Sequence, residues 1–349
     1  MESRRMDNSS GCDNKRRKLL KLSGLLGLST MAGSLLPTEQ AEALWFNKKQ
    51  YKVSQTKLAM GTFVAMTAIH PSRDQAEEAF GRAFDEINRL GLLLSRHNQS
   101  SPIAELNRSG ILVDVPVEVS EVIEQSLLFH DRTGGGFDIT VKPLLDLYQQ
   151  RFDTGKIPSD SEIEGALKGV GSSQLTVSKN RISFGKPGMG ITLDGIAKGY
   201  IVDRASEVLS RYGIKNHLIN AGGDIRTAGA AVKGAKWTVA IQDPNKNRAF
   251  PDLIKMGDGA VATSGNYEVF YDNEKLFHHI VDGRSGRSPQ LAASVTVKAP
   301  TVMEADALST TLFVLEASEG LKIIENRPEL ESFILNRNGS IKASSSWQS

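Results

Sequence analysis

The sequence predicts an α+β fold. Apolar residues recur at helical spacing in four separate stretches, short apolar or alternating runs lie between them, and two pairs of those runs flank turn signals. The regular strand–helix alternation of a doubly wound parallel sheet is missing.

The elements follow in order. Over 76–93, Ala79, Phe80, Ala83, Phe84, Ile87 and Leu90 fall on one helical face. A second helix runs from a Ser120 cap to His130 and stops before Gly134-Gly135-Gly136. Strands at 175–177 and 182–184 flank a Lys179-Asn180 turn. The third helix, 196–212, carries Ala197, Ile201, Ala205, Val208 and Tyr212 at steps of three or four, and Gly213 ends it. A strand at 237–241 ends at Asp243-Pro244, another alternates over 294–297, and a fourth helix covers 303–315. Strands at 333–335 and 340–343 flank Asn338-Gly339, a hairpin signal. No internal repeat or low-complexity linker interrupts the chain.

Of the 349 residues, 1–43 read as an export leader and 44–349 as one mature domain. Lys15-Arg16-Arg17-Lys18 precedes a mildly apolar run, 19–36, which Lys21, Gly24, Gly27 and Gly33 weaken and Pro37 closes. Ala41-Glu42-Ala43 is a small-x-small cleavage site. A membrane span wants about 20 strongly apolar residues, so spanning is the poorer reading. A plain secretory leader would also carry a basic start. The string from Arg16 to Lys21, however, resembles a twin-arginine (Tat) signal, which implies passage of a folded protein through the Tat translocon to the periplasm.

The leader takes seven Lys/Arg and five Asp/Glu with it, leaving 35 of each sign. A neutral mature domain offers no footprint for nucleic acid. Cys12, the single cysteine, leaves with the leader, which excludes a disulfide, a thiolate metal site and a thiol nucleophile from the mature domain.

Three segments carry chemistry. Asp306 and Thr310 are four apart on the fourth helix, so both oxygens can project from one face. A carboxylate with a hydroxyl suits Mg2+, although an aspartate answering the helix dipole beside a packed threonine reads as well. In Leu193-Asp194-Gly195-Ile196-Ala197-Lys198-Gly199-Tyr200, two glycines bracket a helix start, where free N–H groups favour an anion. Lys198 is a cation at the wrong helix end unless it answers a negative ligand; a turn with a solvated lysine is the plainer account. In Phe277-His278-His279-Ile280, adjacent histidines of an extended segment point to opposite faces, so one can enter a site as general base. Zinc fares worse there, since neighbours on opposite faces cannot both coordinate.

Each signal is weak alone. Their joint order resembles the ApbE family across the mature chain: Met60-Gly61-Thr62; Thr133 to Asp138 with Thr140 to Pro143; Gly195 to Tyr200 with Val202-Asp203; Asn220 to Ile225; Ala262-Thr263-Ser264-Gly265; His279-Ile280; and Ala305 to Thr310. The resemblance implies an ApbE-type α+β fold, mixed sheets with helices around a central FAD/Mg cleft. It also implies an FAD:protein FMN transferase that cleaves FAD, joins FMN through a phosphoester to a threonine of a target flavoprotein and releases AMP. An FAD pyrophosphatase and a non-catalytic flavin carrier are the alternatives.

By the same resemblance, Met60, Gly136, Phe137, Asp138, Lys198 and Ile280 contact FAD, while Gly195 (through its carbonyl), Asp306 and Thr310 hold the metal, with Ser309 an extra candidate. His279 is the candidate base. Three positions depart from the family pattern. His97 stands where a flavin-stacking tyrosine is usual and Thr192 where an aspartate is, both kept as candidate FAD-binding residues, and Asp282-Gly283-Arg284-Ser285-Gly286 replaces Asp-Pro-Arg-Thr-Gly. Tat export points to a periplasmic or membrane-bound respiratory flavoprotein as target; a NosX-like role in nitrous-oxide reduction is one such setting.

Overall fold

In chain order the strands are β1 (Leu44–Asn47), β2 (Gln50–Ala59), β3 (Thr62–His70), β4 (Ile111–Val113), β5 (Leu175–Ser178), β6 (Arg181–Phe184), β7 (His217–Ala221), β8 (Asp224–Ala228), β9 (Trp237–Ala240), β10 (Leu253–Met256), β11 (Gly259–Gly265), β12 (Ala292–Ala299), β13 (Glu331–Asn336) and β14 (Ile341–Ala343). The α-helices are α1 (Arg73–Leu94), α2 (Pro102–Ser109), α3 (Val117–Arg132), α4 (Lys142–Asp153), α5 (Asp160–Leu167), α6 (Ala197–Arg211), α7 (Val302–Val314) and α8 (Ala317–Glu325). This computed structural model describes residues 44–47, 50–244, 250–267, 269–272 and 276–348; the leader at 1–43 lies outside them.

Nine strands join in the order β1-β2-β3-β7-β8-β11-β12-β13-β14, while β4-β6-β5 and β9-β10 form two small sheets. Pairing is antiparallel throughout the described strands, which narrows the expected mixed sheets to one kind. Tight turns set that direction locally for β2–β3 and β7–β8, where a parallel neighbour would need a crossover, whereas β3–β7, β8–β11, β11–β12 and β12–β13 pair across longer connections. Met60 and Gly61 make the first turn with φ of 51° and 75°, the positive pair that matches strand twist.

The four expected helices are present with adjusted ends. α1 starts at Arg73 because Ser72 accepts the Gln75 N–H, three residues before the apolar face begins. α3 starts at Val117, not after a Ser120 cap. The Pro116 carbonyl accepts the N–H of Val119 and Ser120, and the Ser120 hydroxyl donates instead to Glu124. The strands predicted at 237–241, 294–297 and 333–335 correspond to β9, β12 and β13. Among the described helices none is long and apolar enough to cross a membrane.

One large core lies between the main sheet and α1, α6 and α7, built from residues such as Met66, Phe80, Ile87, Val202, Val295 and Leu308. α7 is buried almost all round, so its polar residues Asp306, Ser309 and Thr311 are enclosed with it. α6 and α7 meet at Gly199, where an added Cβ would sit 2.5 Å from the Val302 carbonyl oxygen and 2.7 Å from Met303 Cα. Gly199→Ala is therefore expected to force the helices apart and destabilise the protein by about 1–3 kcal/mol, read as a lowered thermal midpoint. An unchanged midpoint would show that the crossing is loose.

Candidate functional site

Buried polar groups on an apolar helix must be partnered or used. On α7 the Ser309 hydroxyl donates to the Asp306 carbonyl at 3.0 Å, and Ser264 on β11 joins Ser309 at 2.8 Å and the Thr310 hydroxyl at 3.2 Å. Asp306 is 5% exposed, and its Oδ2 accepts the Gly199 N–H at 3.1 Å. Asp306 and Thr310 both reach the wall of one cleft.

The start of α6 forms the adjoining wall. Thr192 is buried, donates its N–H to the Ile139 carbonyl at 2.8 Å, and accepts the Asp194 N–H at 3.2 Å. That turn delivers Gly195, where an added Cβ would lie 3.1 Å from Thr310 Oγ1 and 3.4 Å from the Phe137 ring. The Gly195 main chain and the Thr310 hydroxyl thus adjoin. Lys198 lies one turn on, with its ammonium 3.4 Å from Asp224, a carboxylate 1% exposed at the head of β8. That partner offsets the unfavourable end of the helix dipole.

These donors fit a hard cation. Among the described residues no three His, Cys, Asp or Glu converge. A metal here would rest on the Asp306 carboxylate, the neutral oxygens of Thr310 and Gly195, and substrate phosphate, a set suited to Mg2+.

The two histidines part as their extended segment requires. His278 is wholly buried, edge-on to Phe313, with Nε2 donating to the Pro289 carbonyl at 2.9 Å; burial pushes its pKa down to about 4. His279 faces the cleft, and its Nδ1 lies 3.0 Å from the Val269 carbonyl. A carbonyl only accepts, so Nδ1 carries a proton and Nε2 of the neutral ring keeps a lone pair.

The third wall is Gly136, Phe137 and Asp138. Gly134 and Gly135, with φ of 57° and 79°, turn the chain out of α3. The Phe137 N–H donates to Thr133 Oγ1 at 3.1 Å, and His130 Nδ1 lies 3.0 Å from the Phe137 carbonyl. Asp138 is saturated from within. Its Oδ1 accepts the Thr140 N–H at 2.7 Å, the Thr140 hydroxyl at 2.5 Å and the Ser172 hydroxyl at 2.8 Å. Its carboxylate thus braces the turn that forms this wall.

The structure thus gathers Gly136, Phe137, Asp138, Thr192, Gly195, Lys198, His279, Ile280, Asp306 and Thr310 around one cleft. Met60 and His97 are outside its lining. Met60 packs on the core beside Gly91, and His97 is exposed after α1, next to Arg96, whose Nε reaches Asp194 at 2.9 Å. Asp224, Arg96 and His130 had no assigned role in the sequence. Only the family-like order around Asp224 marked one of them.

The ApbE family model matches residues 60–334. An FAD:protein FMN transferase of Haemophilus influenzae is 31% identical over 340 residues, covering 91% of this chain and 97% of that protein. One from Vibrio cholerae is 30% identical, covering 70% and 74%. Among solved structures, the ApbE protein of Thermotoga maritima superposes with a TM-score of 0.77 at 29% identity over 85% of this chain and 98% of that one. The flavin transferase ApbE of Vibrio cholerae does so with 0.73 at 27%, over 85% and 98%.

Proposed function

This chain belongs to the ApbE family, and from that premise we propose that it is an FAD:protein FMN transferase, Mg2+-dependent and acting on a threonine of a target flavoprotein. The observation that carries the reading is the convergence of three chemistries on one cleft: the Lys198 cation, the Asp306–Thr310 oxygen pair and the His279 imidazole. Asp306, Thr310 and the Gly195 carbonyl would hold Mg2+, which when bound offsets charge on the diphosphate of FAD.

Lys198 adds a fixed positive charge at the same end, steadied by Asp224. His279 Nε2 accepts the threonine proton while the threonine oxygen bonds to the phosphorus on the FMN side. The bond from that phosphorus to the AMP oxygen breaks, and AMP leaves with its electron pair. The product is FMN joined to protein through a phosphoester.

Incubation with FAD, Mg2+ and a threonine-bearing target tests this, with covalent flavin on the target as the expected result. Free FMN and AMP without labelled target would make the chain a pyrophosphatase. Intact FAD throughout would make it a carrier. Either outcome overturns the transferase reading.

The leader at 1–43 extends the proposal to place: Tat export of folded enzyme to the periplasm, with a target in a periplasmic or membrane respiratory complex. Replacing Arg16 and Arg17 together by lysine keeps the charge and removes what a Tat receptor reads. Precursor should then accumulate in the cytoplasm, as immunoblots of fractions would show. Normal export of that variant would make the leader an ordinary secretory one.

A further inference from the structure

The structure assigns His130 the role of a positioning residue: by donating its Nδ1–H to the Phe137 carbonyl, it fixes the main chain of the Gly136–Phe137–Asp138 wall for its ligand. This rests on the reading that the cleft takes FAD.

The argument starts from the backbone of that wall. Residues 134–138 belong to neither a helix nor a strand, so no ladder holds their polar groups. Two side chains at the end of α3, His130 in its last turn and Thr133 just past it, take over. Thr133 Oγ1 accepts the Phe137 N–H at 3.1 Å while donating to the Phe129 carbonyl at 2.7 Å, and His130 Nδ1 sits 3.0 Å from the Phe137 carbonyl. Both polar groups of one peptide-flanking residue are thereby pinned to the same helix end.

The imidazole is placed for this and little else. His130 Nδ1 also lies 3.4 Å from Asp138 Oδ2, so the ring stands beside the carboxylate of the next wall residue as well. Its Cε1 is 3.6 Å from where a Cβ on Gly135 would project, which ties the ring to the left-handed turn. The Phe137 ring is edge-on to Phe129 at 6.1 Å, so the apolar side of the same residue is held by the same helix.

His130 is absent from the cleft lining. Its effect must pass through Phe137 and Asp138. Because a carbonyl only accepts, the latch needs Nδ1 protonated, which is true of the cationic ring and of one neutral tautomer. The latch therefore works without a charge on His130.

Loss of one such buried hydrogen bond is worth about five- to tenfold in an equilibrium constant. His130→Ala is expected to weaken FAD binding by about that factor in a flavin-fluorescence titration. It should raise KM for FAD equally while kcat stays within about twofold. His130→Asn can place its amide N–H near the Nδ1 position, and should restore FAD affinity to within about twofold.

Wild-type affinity in His130→Ala would overturn the assignment. So would a loss that appears in kcat alone, or an Asn variant as weak as Ala despite an unchanged thermal midpoint. Failure of wild-type protein itself to quench flavin fluorescence would strike the FAD reading of the cleft instead.

Discussion

Asp306→Ala is expected to lower FMN transfer by about three orders of magnitude or more while the protein stays folded. Metal assistance to charge on a phosphoryl group is worth several kcal/mol, and each 1.4 kcal/mol is about tenfold in rate. Asp306 is the one carboxylate among the three proposed ligands, so its removal leaves only neutral oxygens. A smaller structural cost comes with it, since Asp306 Oδ2 accepts the Gly199 N–H. An orphaned buried donor costs about 1–3 kcal/mol. Asp306→Asn retains an oxygen acceptor for Gly199 and separates the two effects: its thermal midpoint should lie nearer wild type while transfer stays low. Chelation of the wild-type protein should reproduce the loss, and added Mg2+ should reverse it. Full transfer by Asp306→Ala at trace Mg2+ would remove Asp306 from the ligand set.

His279→Ala carries the second large effect. Its FAD affinity should stay close to wild type, because the proposed grip on the diphosphate belongs to Lys198 and the oxygen set on α7. Transfer should fall by about two to four orders of magnitude, the usual share of general-base catalysis. Loss of FAD binding in His279→Ala would make the residue a binding group.

His278 is the control, and burial gives it a different signature. The folded protein holds its imidazole neutral down to about 4, whereas the unfolded chain protonates below about 6.5. The unfolded state therefore binds more protons between those values, and the His278 contribution to stability declines as pH falls through that window. His278→Ala should lower stability by about 2 kcal/mol or more, with a small change in transfer per folded molecule. A large loss of transfer at His278 with little at His279 would reverse the assignment.

Where the sequence was readable, an apolar period was strong. On α1 the face from Ala79 to Leu90 is buried as the spacing required, whereas Arg73-Asp74-Gln75 extends the helix through a cap that periodicity does not register. The β2–β3 hairpin left no comparable trace: β2 is buried only at Val53 and Ala59, and Lys57 and Leu58 are exposed side by side. α2, α5 and α8 bury only one or two residues each, and α4 three, too few to set a period. In the site, motif order pointed to Lys198, His279, Asp306 and Thr310, which the fold brings to one cleft. The partners that hold such groups come from elsewhere in the chain. Asp224 reaches Lys198 and Ser264 reaches Thr310 only because β8 and β11 lie beside α6 and α7. Adjacent polar residues in a sequence cannot reveal that pairing.

The join between β3 and β7 has a consequence for how the chain acquires its shape. Val64 to Ala68 pair with Ala221 to His217, about 150 residues later, and this is the seam between the amino-terminal hairpin and the carboxy-terminal strands of the main sheet. Most of the helical mass, α1 to α6, lies in the intervening loop. Closing a loop of that length costs entropy before the seam returns any stabilisation, so the two flanking hairpins can form early and then wait. During that wait each presents a bare strand edge, β3 on one side and β7 on the other, open to pairing with another chain. Refolding should therefore be slow and concentration-sensitive, with yield falling as chains compete for the seam. The cleft joins walls from inside that loop, 136–138 and 192–198, to one on β11 and α7 beyond it, so the ability to hold a flavin should appear only in the last phase.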